Sequence, residues 1–188
     1  MKEVIRENKT TGALGPSSKA LAKAVTTIAD LPSAGIIVEY GSGEGVFTEA
    51  IQRKMNGGSF FMALEVNPVL VAATKKRCPG VNVIHGGAQH TAKYLREAGY
   101  DHCDVIVSGL PWSRFSDTLQ DEILEATHQV LRPGGRFVTF AYAFSPLFKP
   151  GRRFFKEKLP ATFPGVERIG PIWKNMPPCH VYVGVKQA

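Results

Sequence analysis

The sequence predicts an α/β fold, a mostly parallel sheet covered by helices on both faces. Two observations carry this. Between Ile36 and Tyr142, short apolar runs alternate with stretches of helical periodicity. After Tyr142 the alternation stops, and two strand-like runs follow with little between them.

The elements follow in order. In "GPSSKALAKAVTTIADLP", Leu21, Ala24, Val25 and Ile28 fall at helical spacing, with Ser17 or Ser18 as N-cap and Pro32 beyond the end. "AGIIVEY" reads as a buried strand, and "VFTEAIQRKM" as a helix with Phe47, Ile51 and Met55 on one face. "GSFFMALEV" is the second strand. "PVLVAATKKRC" is a helix with Pro68 in its first turn, where a missing N–H is tolerated. "VNVIHG", "CDVIVSGL" and "RFVTFAY" supply three more strands. "TAKYLREAG" and "TLQDEILEATHQVL" are the helices between them, the second ended by "RPGG". In the tail, "FPGVERIGPIWKN" and "HVYVGVK" close the sheet as an antiparallel pair.

Composition sets the frame. With 188 residues, 44% hydrophobic and 21% charged, the chain is expected to form one globular domain, 1–188. Residues 1–32 are expected to be a helical segment covering the site. No apolar run approaches the roughly 18–20 residues of a membrane span. "MKEVIRENKTTG" lacks a signal peptide's apolar core. Cys78, Cys103 and Cys179 are odd in number and far apart, which argues against a disulfide framework and a zinc site and for a cytoplasmic location. The net charge of +7 favours an anionic partner: nucleic acid, an acidic membrane surface or a phosphorylated substrate.

Gly41, Gly43 and Gly45 form G-x-G-x-G between a strand and a helix. Glu65 lies 24 residues beyond Gly41, at the end of the next strand, where a carboxylate accepts the ribose hydroxyls of a nucleoside. A dinucleotide turn reads G-x-G-x-x-G and receives a pyrophosphate at the helix start. Here the third glycine comes one residue early, and Glu44 and Glu49 would repel a pyrophosphate. Glu39 on the strand end suits an amine and a sulfonium, so the expected cofactor is S-adenosylmethionine. After the third strand, Gly87 stands where an acid often takes the adenine amino group; the Gln89 side chain or the Ala88 backbone amide is the expected substitute.

The acceptor is expected beyond the fourth strand, at "VSGLPWSRF". Ser108-Gly109-Leu110-Pro111, followed by Trp112, resembles the N-P-P-[YF] motif of amino-group methyltransferases. There, a side-chain amide and a backbone carbonyl aim the amine's lone pair at the methyl group. Serine is a shorter acceptor, which weakens a planar exocyclic amine as substrate.

"SGLP", "TGALGPSSKALA", "EYGSGEGVFTEAI", "LRPGGRFVTFAY" and "WKNMPPCHVYV" together resemble the bacterial phospholipid N-methyltransferases, from about Thr11 to Lys186. The rRNA adenine dimethyltransferases are more distantly similar. The resemblance implies a Rossmann-like class I methyltransferase: a seven-stranded, mostly parallel sheet with an antiparallel last strand. It implies methylation of phosphatidylethanolamine or a related aminolipid at the membrane surface. A small soluble amine and RNA adenine are the alternatives. The cofactor set is Ser18, Glu39, Gly41, Ser42, Gly43, Gly45, Glu65, Val66, Ala88, Gln89 and Ser108. The catalytic set is Ser108 to Pro111 with Tyr142, a candidate general base.

Methylated ammonium products favour aromatic faces, so Trp112, Phe115 and Tyr142 are expected to line a cation box. "FKPGRRFFKEK" carries Lys149, Arg152, Arg153, Lys156 and Lys158 among Phe148, Phe154 and Phe155. Its basic groups are expected to hold lipid phosphates while its rings enter the membrane interface. Asn175 is expected near the acceptor. No metal is expected.

Overall fold

The computed structural model describes residues 19–188, so the N-cap expected at Ser17 or Ser18 and the cofactor contact at Ser18 lie outside the described residues. The strands are β1 (Ile36–Tyr40), β2 (Phe60–Glu65), β3 (Asn82–His85), β4 (Cys103–Ser108), β5 (Leu131–Tyr142), β6 (Glu167–Ile172) and β7 (Cys179–Val185). The helices are α1 (Lys19–Ile28), α2 (Val46–Lys54), α3 (Pro68–Arg77), α4 (Thr91–Glu97) and α5 (Asp117–Val130). In the tail, α6 (Lys149–Arg153) runs through a π-helical turn (Phe154–Lys158) into α7 (Leu159–Thr162).

The sheet order is β3-β2-β1-β4-β5-β7-β6. Pairing is parallel from β3 through β5, and β7 is antiparallel to both its neighbours. One strand is therefore reversed, as expected. Strand order turns back between β1 and β4, and at such a switch point the two chain exits diverge and leave a crevice at the carboxyl edge. β5 starts earlier than expected. Leu131 already pairs with Cys103, and the register then slips by a bulge across "RPGG". Asp104, beside the bulge, accepts from the Gly35 and Ile36 amides and pairs with Arg132.

Side chains alternate into two cores, because successive strand residues point to opposite faces. Val38, Tyr40, Met62, Leu64 and Ile106 join Leu95 of α4, Ile123 and Leu124 of α5 and the tail helices. Ile37, Phe61, Ala63, Val105 and Val107 join Leu21 and Val25 of α1, Phe47 and Ile51 of α2 and Val71 of α3.

The tail corrects one expectation. Phe154 and Phe155 are buried, Phe154 stacked on Trp112 and Phe155 tilted on Tyr182, so neither is available to a membrane interface. Two large rings withdrawn from water stabilise the fold by roughly 1.5–3 kcal/mol each. Phe148 alone of the three rings stays exposed.

Candidate active site

The glycine turn leaves β1 at the switch point. Gly41, Gly43 and Gly45 all have positive φ, at 75°, 55° and 82°. A Cβ on Gly43 would meet nothing within 4 Å, so this position faces open space and the backbone is bare to an incoming ligand. The turn is pinned from below. Gly41 N donates to Leu64 O at 2.8 Å, and Thr74 Oγ1 of α3 donates to Gly43 O at 2.8 Å. Ser42 Oγ, predicted to touch the cofactor, is buried 3.0 Å from Thr74 Oγ1 and faces the helix instead.

Two carboxylates bracket the turn. Glu65 accepts from Gly43 N at 3.0 Å and from Asn67 N at 2.9 Å, which fixes its orientation and leaves each oxygen a further lone pair. Glu39 is fully buried and accepts from Thr48 Oγ1 at 2.6 Å through Oε2. Its Oε1 has no partner; among the described residues only Gln120 Oε1 shares that condition in a buried side chain. Burial pushes the Glu39 carboxyl up to about 8, against the Thr48 hydrogen bond and with help from the negative charge of Glu65. A buried, partnerless carboxyl oxygen is unfavourable by about 1–3 kcal/mol and suits a cationic group.

At the third strand, a Cβ on Gly87 would overlap the Gln89 amide, so the bare Gly87 leaves the room that Gln89 occupies. Ala88 is buried, and its carbonyl accepts from Thr91 Oγ1 at 2.5 Å. Val66 is exposed and its carbonyl is bonded to His85 Nε2 at 2.9 Å.

The Ser108–Pro111 turn lies directly against the glycine turn. Gly109 N donates to Tyr40 O at 2.8 Å, and a Cβ on Gly109 would come within 3.1 Å of Gly41 O. A Cβ on Gly41 would likewise press on Leu110 at 3.1 Å. Ser108 is buried; its Oγ accepts weakly from Leu110 N at 3.4 Å. Thr139 Oγ1 donates to Ser108 O at 3.1 Å while accepting from Trp112 Nε1 at 3.0 Å. Gln120 Nε2 holds Trp112 O at 2.7 Å. Among the described residues, the Gly109 carbonyl has no intramolecular donor.

The aromatics do not form the expected box. Trp112 is 1% exposed, stacked on Phe154 at 4.0 Å and edge-on to Phe115 and Phe137. Phe115 is buried with it, so both rings serve the core in this structure. Tyr142 belongs to a separate column of rings, Phe47, Phe140, Tyr142, Phe144 and Phe148, that follows β5 outward. Burial pushes its phenol up, so it holds its proton at neutral pH and is unsuited to be the general base. Asn175 is also spent locally: Nδ2 donates to Pro177 O at 2.7 Å and Cys179 Sγ at 3.1 Å. Arg153 pairs with Asp117 and Glu157, whereas Arg152 is exposed with no carboxylate partner among the described residues.

Thr48, Thr74, Thr139 and Gln120 were not foreseen. Each acts through a hydrogen bond to a residue 8 to 31 positions away, and a lone threonine or glutamine carries no spacing signal of that.

The family model described as a methyltransferase domain matches residues 37–135. The ornithine lipid N-methyltransferase of Singulisphaera acidiphila is 29% identical over 185 residues, covering 93% of this chain and 89% of that protein. Among solved structures, the O-methyltransferase from Bacillus cereus in complex with SAH superposes with a TM-score of 0.72 at 18% identity, over 98% of this chain and 90% of that one. An rRNA methylase from Streptococcus thermophilus gives 0.61 at 14% identity, over 89% and 95%. Relatives at these structural identities share the fold while differing in acceptor.

Proposed function

The chain belongs to the methyltransferase domain family, and we propose that it is an S-adenosylmethionine-dependent enzyme whose acceptor is the amine of an aminolipid. The observation that carries the reading is the apposition of the two turns: Gly109 hydrogen-bonded to Tyr40 and packed on Gly41 brings the acceptor turn to the mouth of the donor turn. The likeness to an ornithine lipid N-methyltransferase over most of both chains supports an aminolipid as acceptor. On this reading the enzyme is one domain that meets its acceptor from the cytoplasmic side, at the membrane surface.

The residues present fit the donor. Gly43 offers bare backbone, Glu65 has spare lone pairs for ribose hydroxyls, and Glu39 has an unpaired buried oxygen for the donor's amino cation. When bound, the donor supplies an electrophilic methyl on a sulfonium. The rest is positioning. The Gly109 carbonyl, without a donor among the described residues, and the Ser108 hydroxyl accept from the amine and aim its lone pair. The amine must first shed a proton, since such groups titrate near lysine's value of roughly 10.4. That proton passes to water before methyl transfer, since Tyr142, raised by burial, keeps its own.

Labelled S-adenosylmethionine offered with detergent-dispersed ornithine lipid or phosphatidylethanolamine, with free ornithine or ethanolamine, and with RNA tests the reading. Label is expected in the lipid fraction. Label confined to the soluble amines or to RNA overturns it.

Gln89 has its own test. Gly87→Asp is expected to weaken donor binding about tenfold, because the new side chain overlaps the Gln89 amide. Adding Gln89→Ala clears the space, and titration calorimetry is expected to show most of the affinity restored. Donor affinity unchanged in Gln89→Ala alone would remove Gln89 from the adenine contact.

A further inference from the structure

Six of the seven large apolar side chains exposed among the described residues lie toward one edge of the sheet. Val66 and Val69 follow β2; Leu147, Phe148, Trp173 and Met176 lie on the loops between β5 and α6 and between β6 and β7. Leu147 and Met176 are each 81% exposed, Trp173 72% and Phe148 54%. The two loops are fastened together where Ala143 N donates to Pro178 O at 2.8 Å, beside the Tyr142–Cys179 strand pair. Because β5 runs parallel to β1 and β4, this lip rises from the same carboxyl edge as the glycine turn and the Ser108–Pro111 turn.

The charges beside the lip divide by face. Arg153 pairs with Asp117 at 2.5 Å, and Lys158 with Asp121 at 2.7 Å, so that side of the tail helices is neutralised by α5. Lys149, Arg152 and Lys156 are exposed and have no carboxylate partner among the described residues. Lys174, next to Trp173, is exposed and equally unpaired. Isolated apolar tips ringed by uncompensated cations fit a surface that is anionic at the headgroups, apolar just beneath and without fixed shape.

We propose that this lip docks on an anionic lipid bilayer, with Leu147, Phe148, Trp173 and Met176 entering the headgroup layer and Lys149, Arg152 and Lys156 resting on lipid phosphates. The proposal builds on the aminolipid reading and supplies the surface by which the enzyme reaches that acceptor. Docking this way turns the carboxyl edge, with both turns, toward the headgroups.

The chain has two tryptophans, and Trp112 is sealed in the core, so emission changes on docking report Trp173. With the full chain and vesicles of phosphatidylglycerol and phosphatidylcholine at low salt, Trp173 emission is expected to shift to the blue and lose acrylamide quenching. Pure phosphatidylcholine is expected to leave it unchanged. Trp173→Phe should abolish the optical change while the protein still floats with the vesicles. Replacing Lys149, Arg152 and Lys156 together by Gln should lower partitioning about a hundredfold, about fivefold for each charge. Flotation with Trp173 emission and quenching unchanged overturns the lip, as does absence of flotation on the anionic vesicles. The detergent-dispersed aminolipid assay separates the two ideas: methyl transfer there without vesicle docking sinks the docking surface alone, and no transfer sinks the acceptor reading.

Discussion

Glu39→Gln is expected to make the donor-free protein more stable at alkaline pH and to weaken donor binding at the same time. The carboxyl sits near 8 in the fold against 4.5 for the unperturbed group, because it is buried with one oxygen unpartnered. Between those values the unfolded chain has lost a proton that the folded chain keeps. Stability is therefore fully present below 4.5 and falls as pH rises toward 8, by up to about 1.4 kcal/mol per pH unit. A neutral amide removes that dependence. Denaturant titrations without donor should find variant and wild type close at pH 5 and the variant ahead at pH 9. A variant equal or inferior at pH 9 would contradict the account. Donor binding should move the other way. Losing a charge-assisted contact of about 1.5–3 kcal/mol lowers affinity roughly 10- to 150-fold. Calorimetry in two buffers near pH 7 should also show proton release on binding by the wild type and none by the variant, since a cation arriving at Glu39 favours the ionised form.

Trp112 carries the second large effect, on stability. Its ring is enclosed by Phe115, Phe137 and Phe154, and its Nε1 holds Thr139, which holds the Ser108 carbonyl. Trp112→Ala should lower unfolding free energy by about 3–5 kcal/mol through the cavity it leaves. Trp112→Phe keeps much of the packing and removes only the link to the acceptor turn. It should unfold slightly earlier and show a reduced kcat with donor KM unchanged. A cation-binding role predicts something else: normal stability with an altered ratio of mono-, di- and trimethylated product. Denaturation curves and product analysis on the two variants decide between them.

Most of the architecture was legible in the chain because buried parallel strands are apolar on both faces, so "IIVEY", "FFMALE" and "CDVIVS" stand out between amphipathic helices. The glycine turn and its tie to Glu65 were legible because glycine spacing and the distance to Glu65 reflect backbone geometry directly. The tail was not. Its helix carries a π turn at Phe154–Lys158, and the inserted residue shifts the face on which later side chains emerge. Phe148 and Phe154 look alike in composition, yet Phe148 stands in the loop before the helix and Phe154 on its buried side, a boundary the local pattern does not mark. Trp112 was misjudged for a related reason: proximity to the acceptor turn in sequence says nothing about which way a ring points. The hydroxyls of Thr48 and Thr139 depend on partners set by strand register, which no local pattern records.

The reversed β7 has a consequence for how such a protein can diversify. It brings the chain back beside the point where β5 ends, with Tyr142 opposite Cys179. Residues 143–178 thereby form a cassette with adjacent ends, open to exchange or lengthening by two cuts at neighbouring strands. A chimera built at those cuts, with the Phe154 partner of Trp112 retained, would keep the glycine turn and the Ser108–Pro111 turn unaltered while exchanging the surface that carries Leu147, Phe148, Trp173 and Met176.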